Sequence, residues 1–170
     1  RHVMRRYMTA GSVLDLFCNS GGFALHAVSS GAGRVVAIDS SADAISELEQ
    51  NRELNGPGPI ETRTGDVFDM LSEFESGGEM FDVVIADPPP FARSKKHASA
   101  ARRKYVELFS RTLALLNEEG IAFLATCSHH ITGDTFSEIV RESLSRSRRQ
   151  GIILEERGAP PDHPIHPLMP

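Results

Sequence analysis

The sequence has little of three things, and each scarcity excludes a class of protein. Two cysteines among 170 residues are too few for a four-thiolate zinc site or a disulfide framework, which favours a reducing compartment. No apolar stretch approaches the roughly 18 residues of a membrane span. Basic residues are not in excess, since 18 Lys and Arg face 23 Asp and Glu. The net charge of -5 argues against nucleic-acid binding by bulk charge alone.

The amino-terminal segment RHVMRRYMTA is basic but lacks the apolar run of a signal peptide, and Arg1 is not an initiator methionine. We therefore expect a trimmed piece of a longer, cytoplasmic protein. Its length and its 40% hydrophobic content predict a single domain over residues 1–170.

Apolar, β-branched runs alternate with amphipathic stretches along the chain. Single helices between strands imply right-handed crossovers and a mostly parallel sheet covered on both faces, a doubly wound α/β fold of Rossmann type. Ligands of such folds bind at the carboxyl ends of the strands. The predicted strands are 13–18, 34–38, 60–63, 81–86, 121–126 and 151–155; the predicted helices are 23–30, 42–54, 67–74, 98–116 and 132–148, with turns at 75–79 and 117–120.

Three predicted strand ends carry polar groups suited to a nucleoside ligand. The first loop, DLFCNSGGF, brings backbone N–H groups to a helix N-terminus, although it lacks the G-x-G-x-x-G fingerprint and is also compatible with a tight turn that binds nothing. Asp39 ends the second strand, where a carboxylate can accept both ribose hydroxyls. Asp66 follows the third strand and can accept from an adenine amino group. Each carboxylate can instead cap the next helix, a role that Ser40 or Ser41 can fill after Asp39.

The fourth strand runs into Asp87-Pro88-Pro89-Pro90-Phe91. A carboxylate followed by stiff prolines and an aromatic ring is suited to hold a flat polar group, and the alternative is merely a rigid turn.

The fifth strand is followed by Thr126-Cys127-Ser128-His129-His130. In an extended chain Cys127 and His129 project to the same side, and an imidazolium would lower the pKa of the thiol and raise its reactivity. Cys127 can alternatively be a small buried hydrophobe, and a metal site would need ligands that the sequence does not supply nearby. The other thiol, Cys18, suits packing within the first loop better than attack.

Basic residues are concentrated between Asp87 and Glu107, where no acidic residue intervenes. A solvated helix face is one interpretation, and an edge that contacts phosphates is the other. The run consists of Arg93, Lys95, Lys96, Arg102, Arg103 and Lys104.

Together these motifs resemble the class I S-adenosylmethionine (SAM)-dependent methyltransferases, and more narrowly the bacterial 23S ribosomal RNA cytosine-5 methyltransferases. The matching segments are LDLFCNSGGFALHA, VVAIDSS, NRELNG, FDVVIADPPPFARSK, ATCSHH and RGAPPDHP. A related guanine-N2 methyltransferase group shares the Asp-Pro-Pro-x-Phe-x-x-Ser-Lys pattern but lacks Cys-Ser-His-His, which makes Cys127 the discriminating residue. A non-catalytic cofactor-binding or RNA-binding module is the other alternative.

The resemblance implies a catalytic domain without the family's amino-terminal RNA-binding domain of PUA type and without its last strand. It implies SAM as cofactor, S-adenosylhomocysteine (SAH) as product, no metal and an RNA substrate. It assigns Cys127 as nucleophile, and we expect Asp87 to hydrogen-bond the edge of the base. The implied cofactor contacts are Phe17, Cys18, Asn19, Ser20, Gly21, Gly22, Asp39, Ser40, Asp66, Val67 and Asp87; the implied RNA or base contacts are Pro89, Phe91, Arg93, Lys95, His129 and His130.

Overall fold

The computed structural model describes residues 6–7, 11–56, 58–91, 97–128 and 131–158. Strands and helices alternate through this part of the chain, as the sequence predicts. In chain order they are β1 (Ser12–Leu16), α1 (Gly22–Ser29), β2 (Arg34–Asp39), α2 (Ala42–Asn55), β3 (Ile60–Thr64), α3 (Val67–Gly77), β4 (Phe81–Ala86), α4 (Ala98–Ala114), β5 (Leu116–Leu124) and α5 (Gly133–Ser147).

The strands form one parallel sheet in the order β3-β2-β1-β4-β5. The order runs outward from β1 to β3 on one side and from β4 to β5 on the other, so the chain changes direction between β1 and β4. A crevice opens at the carboxyl ends of the strands at such a switch point. The predicted doubly wound α/β fold is therefore confirmed.

Both faces of the sheet are buried at the central strands β1, β2 and β4, which explains why these three strands are nearly continuous apolar runs. Successive residues of β1 point to opposite faces. Leu14 and Leu16 belong to a core formed with α3, α4 and α5. Val13 belongs to a second core, formed with α1 and α2.

The predicted sixth strand at 151–155 is wrong. These residues form no strand, and Ile152, Ile153 and Leu154 are 87%, 65% and 61% exposed. A run of high β propensity becomes a strand only when another strand supplies hydrogen bonds, and no described strand pairs with this one.

The predicted turn at 75–79 is wrong in part, because α3 continues to Gly77. The helix ends where Gly78 adopts a φ of 66° and donates its N–H to the carbonyls of Glu75 and Phe74. A glycine in the left-handed conformation is a common helix terminator, and here the second glycine of the pair takes that role.

The predicted turn at 117–120 lies inside β5 as an irregularity of the ladder. Leu116 pairs with Phe81, and the next pair joins Ile121 to Val83, so extra residues loop out of β5. The Asn117 amide donates to Asp82 Oδ1 at 2.8 Å and fixes this loop to β4. Within the described residues no helix is long and apolar enough to cross a membrane.

Candidate active site

The turn between β1 and α1 depends on left-handed backbone conformations. Gly21 has a φ of 83°, and a Cβ atom there would lie 2.5 Å from Leu48 Cγ. Glycine is therefore required by packing against α2 as well as by backbone conformation. Two other residues of the turn also have positive φ: Phe17 at 61° and Asn19 at 49°.

Cys18 faces the interior of this turn. Its side chain is 3% exposed, and its backbone N–H donates to the Ile38 carbonyl at 2.9 Å. Burial, together with the negative charges of Asp15 and Asp39, raises the pKa of the thiol far above its usual range. The side chain of Cys18 is thus a protonated core group, and only its backbone is left for a ligand contact.

Asp39 is fixed at the end of β2 by two backbone donors. Its Oδ2 accepts the Asn19 N–H at 3.0 Å, and its Oδ1 accepts the Ser41 N–H at 2.9 Å. The cap of α2 is the Ser41 hydroxyl, which accepts the Ala44 N–H at 3.2 Å, whereas Ser40 does not cap. A carboxylate has about four acceptor positions, so Asp39 retains capacity for further donors.

Asp66 caps α3, which is the structural role that the sequence left open for it. Its Oδ1 accepts the N–H groups of Phe68 at 2.8 Å and Asp69 at 3.4 Å. Among the described residues its Oδ2 accepts no hydrogen bond, and the residue is exposed. Val67 is 2% exposed and packs into the core, so its side chain is not at the ligand surface.

The loop after β4 and the segment after β5 meet. The Cys127 thiol donates to the Pro88 carbonyl at 3.5 Å, and Cys127 is exposed. Partial desolvation and the negative charge of nearby Asp87 raise the pKa of this thiol. The imidazolium expected to lower that pKa belongs to His129 or His130, and both lie outside the described residues.

The segment that carries Cys127 is held from behind by Tyr105 of α4. The tyrosine is completely buried, and its hydroxyl lies 2.8 Å from Ser128 Oγ. The Thr126 hydroxyl donates to the same phenol oxygen at 2.9 Å, and the Ser128 N–H donates to Thr126 Oγ1 at 3.2 Å. Cys127 therefore lies between two residues, Thr126 and Ser128, whose side chains are both hydrogen-bonded to the Tyr105 hydroxyl.

Phe91 is enclosed by neighbours rather than presented as a free surface. Its ring centroid is 4.7 Å from that of Tyr105, and Lys104 Nζ lies 4.6 Å from the same centroid. The same ammonium group lies 5.2 Å from the ring centroid of Phe68 in α3. This arrangement favours a supporting role for Phe91 over direct stacking with a base. Pro89 of the same loop is exposed.

The basic run divides into residues with different partners. Arg102 is engaged by α5, with its guanidinium 2.8 Å from Glu142 and 3.9 Å from Glu138. Arg103 and Lys104 are exposed and border a shallow groove together with Phe68. The other members, Arg93, Lys95 and Lys96, lie outside the described residues.

Two residues of this region escaped the sequence analysis. Asp15 in β1 is completely buried, and its Oδ2 accepts the Ala24 N–H at 3.0 Å, which ties β1 to α1. A carboxylate inside an otherwise apolar strand is a readable signal, since such a group requires partners. Tyr105 carried a weaker signal, a polar-tipped aromatic on the buried face of α4. In the part of the chain that the structure covers, no group of three or more His, Cys, Asp or Glu is arranged to hold a metal ion.

Comparison with known proteins identifies the family of this chain. Residues 2–153 match the model of the family called "Conserved hypothetical protein 95". The chain belongs to this family. It is 36% identical to the Ribosomal RNA large subunit methyltransferase I of Photobacterium profundum over 173 residues, which is 100% of this chain but 43% of that protein. The chain thus spans less than half the length of this curated relative.

The solved structures show the fold. A methyltransferase crystallised in complex with SAH superposes with a TM-score of 0.82 at 22% identity, covering 96% of this chain and 43% of that one. A SAM-dependent methyltransferase from Streptococcus mutans gives the same TM-score and identity, covering 97% of this chain and 44% of that one. The chain therefore has the Rossmann-like fold of the methyltransferases.

Proposed function

We propose that this chain is the catalytic part of a SAM-dependent methyltransferase whose substrate is cytosine in large-subunit ribosomal RNA. Family membership and the name of the Photobacterium relative support methyl transfer to this RNA. The contact between Cys127 and the loop after β4 carries the choice of cytosine carbon 5.

The described residues fit SAM. The first turn offers backbone groups beside a helix N-terminus, where the methionine part is expected to bind. Asp39 retains acceptor capacity for the ribose hydroxyls, and Asp66 Oδ2 is available to the adenine amino group. When bound, SAM supplies a methyl group on a positively charged sulfur and leaves as SAH.

Carbon 5 of cytosine is a poor nucleophile, and the protein has to activate it. We assign this step to the Cys127 thiolate, which forms a bond to carbon 6 and thereby raises the electron density at carbon 5. After methylation a base removes the proton from carbon 5, and the electron pair of that C–H bond expels the thiolate from carbon 6. The product is 5-methylcytosine and the free thiol group is regenerated.

Asp87 lies next to the reacting thiol and is assigned to hold the edge of the base and stabilise the adduct. Phe91, packed on Tyr105, keeps the loop rigid, and exposed Pro89 contacts the base. The base must leave its stack to reach this site. RNA phosphates are assigned to Arg93, Lys95, Arg103 and Lys104; either His129 or His130 tunes the thiol or contacts RNA.

A trapping experiment tests this assignment. Large-subunit RNA containing 5-fluorocytidine is mixed with the protein and SAM; because fluorine replaces the proton that must leave carbon 5, the adduct cannot be resolved. We expect a denaturation-resistant protein–RNA complex, and peptide mass spectrometry places the link at Cys127. Cys127→Ala forms no such complex.

Ordinary RNA with methyl-labelled SAM provides the second arm. The expected product is 5-methylcytidine in the nucleoside digest. Label in N2-methylguanosine would contradict the carbon-5 assignment in favour of guanine, for which Cys127 is structural. Calorimetric binding of SAM without any methyl transfer would instead indicate a non-catalytic module.

A further inference from the structure

One buried side chain contacts both segments that form the proposed reaction centre. Tyr105 bonds through its hydroxyl to Thr126 and Ser128, the two neighbours of Cys127. Its ring packs on Phe91, at the end of the loop that begins with Asp87. Because Tyr105 is in the middle of α4, which packs on both the sheet and α5, it is a rigid reference point for these loops.

Core packing alone does not account for the phenol hydroxyl. The ring is surrounded by apolar groups that include Phe109, at a centroid distance of 5.7 Å, and phenylalanine would fill the same space. The hydroxyl, in contrast, is the meeting point of two side chains from one segment, and Ser128 is only 4% exposed. Buried polar groups joined in this way hold a segment in a single arrangement.

We propose that Tyr105 is the positioning residue for Cys127, holding the thiol against the Pro88 carbonyl and beside Asp87 so that it meets the base in one orientation. This inference rests on the proposed function. Reactions between groups fixed in the correct geometry are sensitive to displacements of about 1 Å, which can lower the rate roughly 100-fold. Loss of the phenol hydroxyl is therefore expected to slow catalysis without affecting the cofactor half of the site.

The test compares Tyr105→Phe with Tyr7→Phe. The control removes a hydroxyl whose one hydrogen bond to the described residues goes to exposed Glu155, at 3.3 Å, and leaves the ring on Phe123. For each variant, iodoacetamide alkylation is followed against pH, with peptide mass spectrometry separating Cys127 from Cys18. SAM affinity is measured by calorimetry, and kcat and KM by methyl transfer to large-subunit RNA.

In Tyr105→Phe we expect kcat to fall about 10- to 100-fold while SAM affinity is unchanged. Alkylation of Cys127 is expected to become faster and its pH profile to move to lower pH, since the released thiol leaves Pro88 and Asp87. Cys18 should stay protected, and Tyr7→Phe should behave as wild type. Faster alkylation of Cys127 together with a lower kcat would show that the thiol is still reactive but no longer correctly positioned.

Unchanged Cys127 alkylation together with unchanged kcat would overturn the proposal. Parallel exposure of Cys18 would also overturn it, because general loosening of the fold would then explain the effect. Ser128→Ala, which removes one partner of the phenol, is expected to give a smaller change in the same direction. If Cys127→Ala retains methyl transfer, the proposed function fails, whereas the alkylation arm still decides whether Tyr105 positions the thiol.

Discussion

The two cysteines lie at the same edge of the same sheet, yet their surroundings give them opposite properties. Cys18 follows β1 and is 3% exposed, with its thiol enclosed by the turn and by two carboxylates. Cys127 follows β5 and is exposed, with its thiol at the Pro88 carbonyl. Desolvation is the main cause of the raised pKa at both thiols, but Cys18 is buried in the core whereas Cys127 is exposed. Two cysteines that follow strands of one sheet therefore differ in access, and only the thiol of Cys127 is open to a substrate.

Removing each thiol in turn tests the contrast between Cys18 and Cys127 most directly. Cys127→Ala is expected to lower methyl transfer by at least ~10³-fold with SAM affinity nearly unchanged, because the covalent step is lost. Cys18→Ala keeps the backbone of the turn and should retain most of the activity. The measurement is methyl incorporation into large-subunit RNA, with calorimetry of SAM binding. Strong residual turnover by Cys127→Ala would end the covalent mechanism.

A substitution in the proposed SAM-binding half of the site should have the opposite effect, lowering SAM affinity and leaving the reactivity of Cys127 unchanged. Asp39→Ala is expected to weaken SAM binding by roughly 10- to 100-fold, the effect of losing hydrogen bonds to a charged group. The rate of Cys127 alkylation should not change. Asp134→Ala is a matched control, since it removes an exposed carboxylate from the first turn of α5, which has no assigned cofactor contact. Equal SAM affinity in Asp39→Ala and wild type would refute the ribose assignment.

The pH dependence of Cys127 alkylation separates the effect of the Asp87 charge on the thiol pKa from the effect of desolvation. The carboxylate raises the pKa of the thiol because it opposes formation of a second negative charge. Asp87→Asn removes that charge, so the alkylation profile of Cys127 should move to lower pH. The profile of Cys18 should not move in the same way. An unshifted Cys127 profile would mean that desolvation alone sets this pKa.

The smallest effect concerns stability at high pH. Burial raises the pKa of Cys18 in the folded protein, so the folded state keeps a proton that the unfolded chain releases near pH 8.5. The free energy of unfolding should fall as pH rises above that value, by at most about 1.4 kcal/mol per pH unit for this thiol. Denaturant melts between pH 7 and 10 measure the slope. Cys18→Ala should flatten it more than Cys127→Ala does, and equal slopes would contradict the contrast in burial.

Local sequence patterns predicted the structural features that depend on only a few neighbouring residues. The alternation of strands and helices, the bounds of β4 and a serine cap for α2 were all predictable, because propensity and capping act over a few residues. The prediction of a strand at 151–155 was wrong because strand pairing requires a partner that is distant in sequence, which a local pattern does not reveal. Asp66 illustrates an intermediate case, in which both roles were foreseen and the cap is the one that the structure contains.

The sequence by itself determined the fold class and the edge of the sheet where chemistry belongs, because periodicity and crossover handedness follow from local sterics. Only the tertiary structure decided which side chains meet at that edge. It buried Cys18, brought the Cys127 thiol to Pro88, engaged Arg102 with α5 and set Tyr105 behind the segment after β5. These contacts join residues that are 20 to 40 positions apart, and they depend on how helices and strands pack rather than on any local pattern.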